Sequence, residues 1–214
     1  MAITLAKGQG LSLEKSKHDL ERVTIGLGWD ITEQKKGFLG GLFSGAKSEE
    51  HDLDVVAFLC DASGKVKDLG WNAAGQATLE NSDVIFFNNL KHRSGQIWLT
   101  GDNRTGAGDG DDEQIIVKLN SLSAEYHKIV FIVQIYNGAK NNQHFGPVKN
   151  AFIRAVDGTG KEMVRFDLSG IVQYDQQRSL LFAELVRENS GWKFNAVGNA
   201  SPADNFVEWL KKYS

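Results

Sequence analysis

The sequence predicts an all-β fold, and three observations lead to that prediction. Short runs of β-branched and aromatic residues alternate with clusters of Asp, Asn and Gly through almost the whole chain, as expected for short strands joined by tight turns. The 214 residues include 23 glycines but only 2 prolines. At this length we expect a single domain, residues 1–214, folded as a β-sandwich of two roughly five-stranded antiparallel sheets with a short C-terminal helix.

Eleven segments have the composition of strands, which is enough to fill two sheets. They are residues 3–5, 22–28, 53–60, 84–87, 97–100, 114–119, 128–136, 150–156, 162–167, 180–187 and 192–197. Residues that tolerate positive φ separate several of them, at 61–64, 157–160 and 189–191, and predict short hairpin loops. A single helical turn is also predicted for residues 122–126.

The C-terminal helix is predicted from its start signals. Ser201 is placed to cap the helix, Pro202 suits the first helical position, and Asp204 follows three residues after the cap. The apolar stripe that would pack on a sheet consists of Phe206, Val207 and Leu210.

Composition excludes several function classes. A net charge of −3 and an isoelectric point of about 6.0 argue against a nucleic-acid partner. The N-terminus lacks the apolar core of a signal peptide and no apolar run is long enough to span a membrane, so we expect a cytoplasmic protein without a transmembrane segment. The single cysteine, Cys60, lies in an apolar strand and is expected to be a buried filler rather than a nucleophile.

A glycine-rich insertion at residues 35–48 separates two predicted strands. Between its glycines it carries the apolar side chains of Phe38, Leu39, Leu42 and Phe43. This arm, with its centre at 37–46, either contacts a partner or folds back onto the sandwich, and the sequence leaves both possibilities open.

The segment 101–113 is the strongest functional signal. It packs five carboxylates (Asp102, Asp109, Asp111, Asp112 and Glu113) and four glycines into thirteen residues. Carboxylates this crowded raise one another's pKa unless a multivalent cation lies among them. Glycines allow the sharp turns with which a loop aims its oxygens at Ca2+.

Further oxygen donors stand at the ends of predicted strands. Asp30 ends one strand, Asp52 and Asp54 flank Leu53 at the start of another, and Asn88 and Asn89 follow a third. If these strand ends converge with the acidic loop, one rim of the sandwich holds enough acids for two Ca2+ ions. The spacing is not that of an EF-hand, and the absence of Cys and His from the cluster disfavours zinc.

At these residues the chain resembles the TerD family of tellurium-resistance and stress-response proteins. The resemblance rests on residues 23–30, 52–59, 86–90, 150–154 and 192–194, and above all on Gly101-Asp102-Asn103-Arg104-Thr105-Gly106 followed by Gly110-Asp111-Asp112-Glu113. The elements occur in family order across nearly the whole chain. The glycine-rich arm and an insertion at 68–78 look closer to the TerZ-like branch.

The resemblance implies a calcium-binding β-sandwich encoded in bacterial stress-resistance operons. By motif match, it places the metal ligands on Asp30, Asp52, Asp54, Asn88, Asn89, Asp102, Asp111, Asp112 and Glu113, with Asp109 as a further candidate. The implied partners are other proteins of a tellurium-resistance operon, at the inner membrane surface.

These residues are compatible with three functions. The leading hypothesis is a non-catalytic calcium-binding protein in which the ion orders the acidic rim and so controls a protein interaction. The alternative is a calcium-dependent lectin or lipid-binding module, with Trp29, Trp71 or Trp98 as a stacking face. A metal-dependent hydrolase is a third reading, but no convincing general base stands outside the acidic cluster.

Overall fold

We describe the fold from a computed structural model that covers residues 2–31, 51–100, 110–168 and 171–214. In these ranges the strands are β1 Ile3–Thr4, β2 Gly10–Glu14, β3 Val23–Ile31, β4 Leu53–Cys60, β5 Val84–Ile85, β6 Ile97–Leu99, β7 Glu113–Val117, β8 Lys128–Ile135, β9 Val148–Val156, β10 Glu162–Asp167, β11 Ser179–Glu188 and β12 Gly191–Ser201. A 3-10 helix covers Val172–Tyr174, and helix α1 covers Val207–Leu210.

The strands form two sheets of six. Sheet A has the order β1-β10-β9-β3-β7-β6, and sheet B has the order β2-β12-β11-β8-β4-β5. Neighbouring strands are antiparallel except for β1, which runs parallel to β10 at the edge of sheet A. The predicted all-β sandwich is confirmed, with six strands rather than about five in each sheet.

Alternation along β4 shows where the core lies. Leu53, Val55, Ala57 and Leu59 face sheet A across the main core. Val56, Phe58 and Cys60 face the other way, into a second cluster with Phe206, Trp209 and Leu210 from the C-terminal segment. Both faces of the strand are therefore buried, which is why residues 55–60 form a continuous apolar run. Burial raises the pKa of Cys60 to about 12, as expected for an inert thiol.

Several local features differ from the prediction. Strand β2 was missed because Gly10, Ser12 and Glu14 interrupt its apolar pattern, although it pairs with β12 at the edge of sheet B. Residues 122–126 form turns rather than helix. The 3-10 helix Val172–Tyr174 has no clear sequence signal.

The predicted helix start at Ser201 is wrong. Ser201 is the last residue of β12 and pairs with Ser179 of β11, so sheet pairing extends over the expected cap. Its hydroxyl instead accepts a hydrogen bond from the Ala203 amide, at 3.2 Å. Helix α1 begins after Asn205, whose side-chain oxygen accepts a hydrogen bond from the Val207 amide at 2.9 Å. In the ranges described above, no helix is long and apolar enough to cross a membrane.

Candidate functional site

Three strand ends meet at one end of the sandwich. Strand β3 ends where β7 begins, because the two are antiparallel and Leu27 pairs with Glu113. The start of β4 reaches the same place, since the Val55 amide donates to Glu113 Oε2 at 2.6 Å. We call this the acidic end and define it by Asp30, Asp52, Asp111, Asp112 and Glu113.

Two glycines of β3 make room for the segment that carries the acids. Ile25 and Leu27 face the core, so Gly26 and Gly28 face outward from sheet A. A Cβ on Gly26 would overlap the Asp111 carboxylate, and one on Gly28 would stand 2.5 Å from the Gly110 carbonyl oxygen. The chain at residues 110–111 therefore lies directly on the outer surface of β3, in space that any larger side chain would fill.

Asp111 is held by an arginine from the next strand. Arg154 pairs with Gly26 across β3 and β9, and its Nε donates to Asp111 Oδ1 at 2.8 Å. The Asp111 side chain is 2% exposed and that of Arg154 28%. Gln114 Nε2 donates to the other carboxylate oxygen at 3.2 Å. Asp111 thus forms a partly buried ion pair that holds residues 110–111 on β3, and both of its oxygens accept hydrogen bonds from the protein.

The Asp112 carboxylate lies among other negative charges. Its backbone amide donates to the Leu27 carbonyl, and its Oδ2 accepts from the Trp29 amide, both at 2.8 Å. Burial raises the pKa of Asp112, the Trp29 amide opposes that effect, and the charges of Asp30 and Asp111 raise the pKa further. A cation placed among these groups would relieve the repulsion.

Asp30 is exposed at the end of β3 and accepts a hydrogen bond from Asn150. The distance from Asn150 Nδ2 to Asp30 Oδ2 is 2.6 Å. Asn150 has a φ of 50°, in the left-handed region that Asn adopts more readily than most residues. β9 thereby supplies both the amide that orients Asp30 and the guanidinium that holds Asp111.

Glu113 has a structural role between the sheets. It is buried, and its carboxylate accepts a hydrogen bond from the Val55 amide. Val55 lies on the edge of β4 beyond the two residues that pair with the short strand β5. The carboxylate substitutes for a missing neighbouring strand there, since a buried amide without a partner would be costly.

Asp54 lies on the opposite outer face from Asp111. It pairs with Gln134 of β8 and accepts a hydrogen bond from Gln134 Nε2 at 3.2 Å. Gln134 Oε1 accepts the Phe206 amide at 2.7 Å, so Asp54 belongs to the face of sheet B that the C-terminal segment covers. The Asp52 carbonyl accepts the Tyr136 amide at 2.8 Å, which ties the start of β4 to the end of β8.

The two asparagines after β5 differ in their surroundings. Asn88 is exposed. Asn89 is buried, and its side-chain nitrogen donates to the Val84 carbonyl at 2.6 Å, which holds the turn closed by the bridge between Phe86 and Asn89. The chain after β5 returns toward the start of β4 because the two strands are antiparallel.

The structure brings part of the predicted ligand set together. Asp102 and Asp109 lie outside the described residues, as does the glycine-rich arm. In the parts of the chain that the structure covers, no group of three or more His, Cys, Asp or Glu side chains could hold a metal ion. The charges of Asp30 and Asp111 act on the Asp112 carboxylate, and Asp54 lies on the other face.

Sequence reasoning missed the residues that position the acids. Gly26, Gly28, Asn150 and Arg154 all belong to motifs on which the family resemblance rests, but without assigned roles. The available signal was glycine at alternating positions of an otherwise apolar strand, which indicates close approach of another segment to one face.

A second buried polar cluster lies at the other end of β4. The Asp83 carboxylate accepts from Arg93 at 2.8 Å and from the Tyr126 hydroxyl at 2.9 Å. The distance from its Oδ1 to His92 Nε2 is 3.1 Å. The amide of Asp68 donates to its second oxygen, at 3.1 Å. We call Asp83, His92, Arg93 and Tyr126 the Asp83 cluster.

The Asp83 cluster also contacts a serine, which invites comparison with a nucleophilic triad. Ser94 Oγ lies 2.7 Å from His92 Nδ1. Ser94 Oγ also accepts the Gln96 amide at 3.2 Å, and Arg93 already neutralises Asp83. The arrangement is that of a turn anchored to a buried carboxylate.

A comparison with known sequences identifies the family. The sequence profile of the TerD domain matches residues 1–213. The chain belongs to the TerD family. It is 66% identical over 213 residues to the tellurium resistance protein TerX of Serratia marcescens, with 100% of both chains covered. It is 37% identical over 214 residues to the stress response protein SCP2 of Bacillus subtilis, again covering 100% of both.

The identities also bear on the branch of the TerD family. The tellurium resistance protein TerZ of Serratia marcescens is 38% identical over 198 residues, with 92% of this chain and 90% of TerZ covered. TerX is much more similar to this chain than TerZ is. Among solved structures, a TerD homologue from Streptomyces coelicolor, SCO6318, superposes with a TM-score of 0.62 at 21% identity, covering 91% of this chain and 98% of that one. This likeness shows the shared fold.

Proposed function

We propose that this TerD-family protein binds Ca2+ at the acidic end and acts, without catalysis, in tellurite resistance and stress response through calcium-dependent protein interactions. The observation that carries the proposal is that Asp111 and Asp112 lie against β3, the strand that carries Asp30: the Asp111 carboxylate fills the space beside Gly26, and the Asp112 carboxylate accepts the amide proton of Trp29, the residue before Asp30, at 2.8 Å. Several relatives are named for tellurium resistance or stress response, which supports the physiological role.

The donor chemistry at the acidic end fits a hard cation. Carboxylate oxygens are the preferred ligands of Ca2+, which takes six to eight of them. Asp30 and Asp112 are the described side chains best placed to bind it, because Asp111 is already paired with Arg154 and Asp54 faces away. Asp102 and Asp109 remain predicted ligands that would complete the set, and a second ion remains a prediction.

Bound Ca2+ would supply the positive charge that offsets the repulsion among these carboxylates. The protein's own residues would transmit the effect, because the Trp29 amide holds the Asp112 carboxylate on β3 and Arg154 holds the preceding residue. The segment that carries these acids can respond to the ion only if it has two conformations and one of them binds the ion more tightly. The surface presented by the ordered state is the proposed partner contact, and other proteins of a resistance operon are the proposed partners.

The geometry gives less support to a lectin. Trp29 is buried in the core, and Trp98 is half-buried with the Lys118 ammonium 5.9 Å from its ring centroid. Trp71 is 58% exposed, but its hairpin follows Asp68, which is bonded to Asp83 at the far end of β4. A sugar bound by the acidic end could not reach Trp71.

We expect Asp30→Asn and Asp112→Asn each to weaken Ca2+ binding at least tenfold, because each removes a charged oxygen ligand. At about one hundred times the dissociation constant, an ion stabilises the protein by about 2.7 kcal/mol. The parent should therefore melt several degrees higher in calcium than in chelator, and the double variant should lose that difference.

Glu188→Gln is the matched control, because Glu188 is an exposed carboxylate at the opposite end of the sandwich. A calcium-dependent melting shift that survives in the double variant would contradict the proposed site.

The physiological role is tested by complementation. The parent gene should restore survival in tellurite to a strain from which the gene has been deleted, and the gene for the double variant should not. Equal rescue by both would disconnect resistance from these carboxylates.

A further inference from the structure

A cavity of about 210 Å3 lies between the two sheets. Leu27 of β3 and Ala151 of β9 line it from sheet A, and Leu53, Val133 and Leu180 line it from sheet B. All five belong to the buried core. The cavity therefore has an aliphatic interior and opens near the end of the sandwich where β3 ends and β4 begins.

Its size is unusual for a protein core. Interiors are packed so closely that few voids exceed a water molecule. An engineered apolar cavity of about 150 Å3 stays dry and binds benzene. A larger aliphatic cavity costs stability when it is empty, because the atoms that line it lose dispersion contacts. An apolar ligand would restore those contacts.

The wall at the mouth is fixed by hydrogen bonds. Tyr174, in the 3-10 helix, donates its hydroxyl proton to the Gly198 carbonyl at 2.9 Å. The Gly146 amide donates to the Asp175 carbonyl at 3.1 Å. The Gly146 bond joins the two connecting segments that line the opening, and the Tyr174 bond ties the second of them to β12. Both bonds favour a preformed cavity over a transient gap.

The mouth carries one charge of each sign. Lys149 and Asp175 line the opening and are exposed, and in the ranges that the structure covers neither forms an ion pair. The two charges balance, so the opening favours neither an anion nor a cation, while both side chains can exchange hydrogen bonds with a neutral polar group.

We propose that this cavity binds a small aliphatic molecule of about six to eight carbons with an uncharged polar head group, its chain between the sheets and its head at Lys149 and Asp175. The length follows from scaling the benzene-sized cavity of about 150 Å3 to the present volume. This site uses none of the proposed calcium ligands but adjoins them, because Lys149 stands across from Asp30 in the pairing of β9 with β3.

The test is a titration of the full chain with 1-alkanols of four to twelve carbons, in which binding is monitored through the amide chemical shifts in NMR spectra. We expect saturable shifts at the residues that line the cavity. Affinity should rise about fourfold per methylene, which corresponds to about 0.8 kcal/mol, and should level off near eight carbons. Octanoate and octylamine should bind more weakly than 1-octanol.

Ala151→Leu should abolish 1-octanol binding by filling the cavity, whereas Trp71→Ala, which removes an exposed apolar side chain elsewhere, should leave it unchanged. Leu168→Ala enlarges the same cavity and should move the preferred alkanol to a longer chain, which keeps the proposal testable if Ala151→Leu fails to fold. Affinity that rises without a plateau and ignores both cavity variants would show surface partitioning and overturn the proposal.

Discussion

Gly26→Ala is expected to destabilise the protein by about 3 kcal/mol and to weaken calcium binding as well. The added Cβ would occupy the position of the Asp111 carboxylate, so Asp111 must leave and Arg154 loses its buried partner. Breaking a buried pair by removing one member costs about 3–5 kcal/mol, and the partial exposure of Arg154 and its second ion pair with Glu162, at 3.0 Å, place this pair at the low end. Thermal unfolding should show a melting temperature lower by about 6–12 °C.

A double-mutant cycle separates this mechanism from a general effect of alanine in β3. In an Asp111→Ala background the space beside Gly26 is empty, so Gly26→Ala should cost almost nothing there. It could even stabilise slightly, since replacing glycine with alanine in a strand removes about 0.5–1 kcal/mol of conformational cost. Additive losses in the double variant would show that the glycine is required for a reason other than Asp111.

Asp83→Asn is expected to cost about 1.5–3 kcal/mol, the range for hydrogen bonds to a charged group, because Arg93 is 43% exposed and keeps its ion pair with Asp68. The Asp83 carboxylate accepts hydrogen bonds from Arg93, Tyr126 and the Asp68 amide, and an amide cannot accept from all of them. Tyr126→Phe removes one donor and should cost only about 1 kcal/mol. Urea unfolding of both variants measures the difference, and equal small losses would contradict a central role for Asp83.

The Asp83 carboxylate should also make the folding stability of the protein sensitive to acid. Burial alone would raise the pKa of Asp83, but the hydrogen bonds from His92 and Tyr126 and the charge of Arg93 outweigh it and lower the pKa. A lowered folded-state pKa gives stability that is present above the unfolded value of about 3.9 and is lost as pH falls through the folded value. Stability should therefore decline more steeply below about pH 4 in the parent than in Asp83→Asn.

Most of the fold could be predicted because the strands carry their own signal. Strand β4 is apolar on both faces, since one face meets sheet A and the other meets the C-terminal segment, and its predicted bounds agree with the structure. Strand β2 could not be found from pattern alone, because an edge strand with solvent on one side needs fewer apolar residues. The helix start at Ser201 failed because pairing with Ser179, far away in sequence, extended β12.

The acidic end was predictable in composition but not in arrangement. The alternation of side chains along a strand correctly places Asp54 on the opposite face of β4 from Leu53. It does not reveal that Asp54 lies on the outer face of sheet B whereas Asp111 lies on the outer face of sheet A. That distinction, like the ion pair with Arg154, depends on which strands pair and in which register. Arg154 reaches Asp111 because it stands across from Gly26, a long-range relation that local sequence does not encode.

The most direct test of the calcium proposal is a calorimetric titration of Ca2+ into chelator-treated protein, run in parallel on the parent, on Asp30→Asn with Asp112→Asn, and on Glu188→Gln. We expect saturable binding with micromolar or tighter affinity in the parent and in Glu188→Gln, and little or no binding heat in the double variant. Absence of binding in the parent, or unchanged binding in the double variant, would contradict a calcium site built on Asp30 and Asp112.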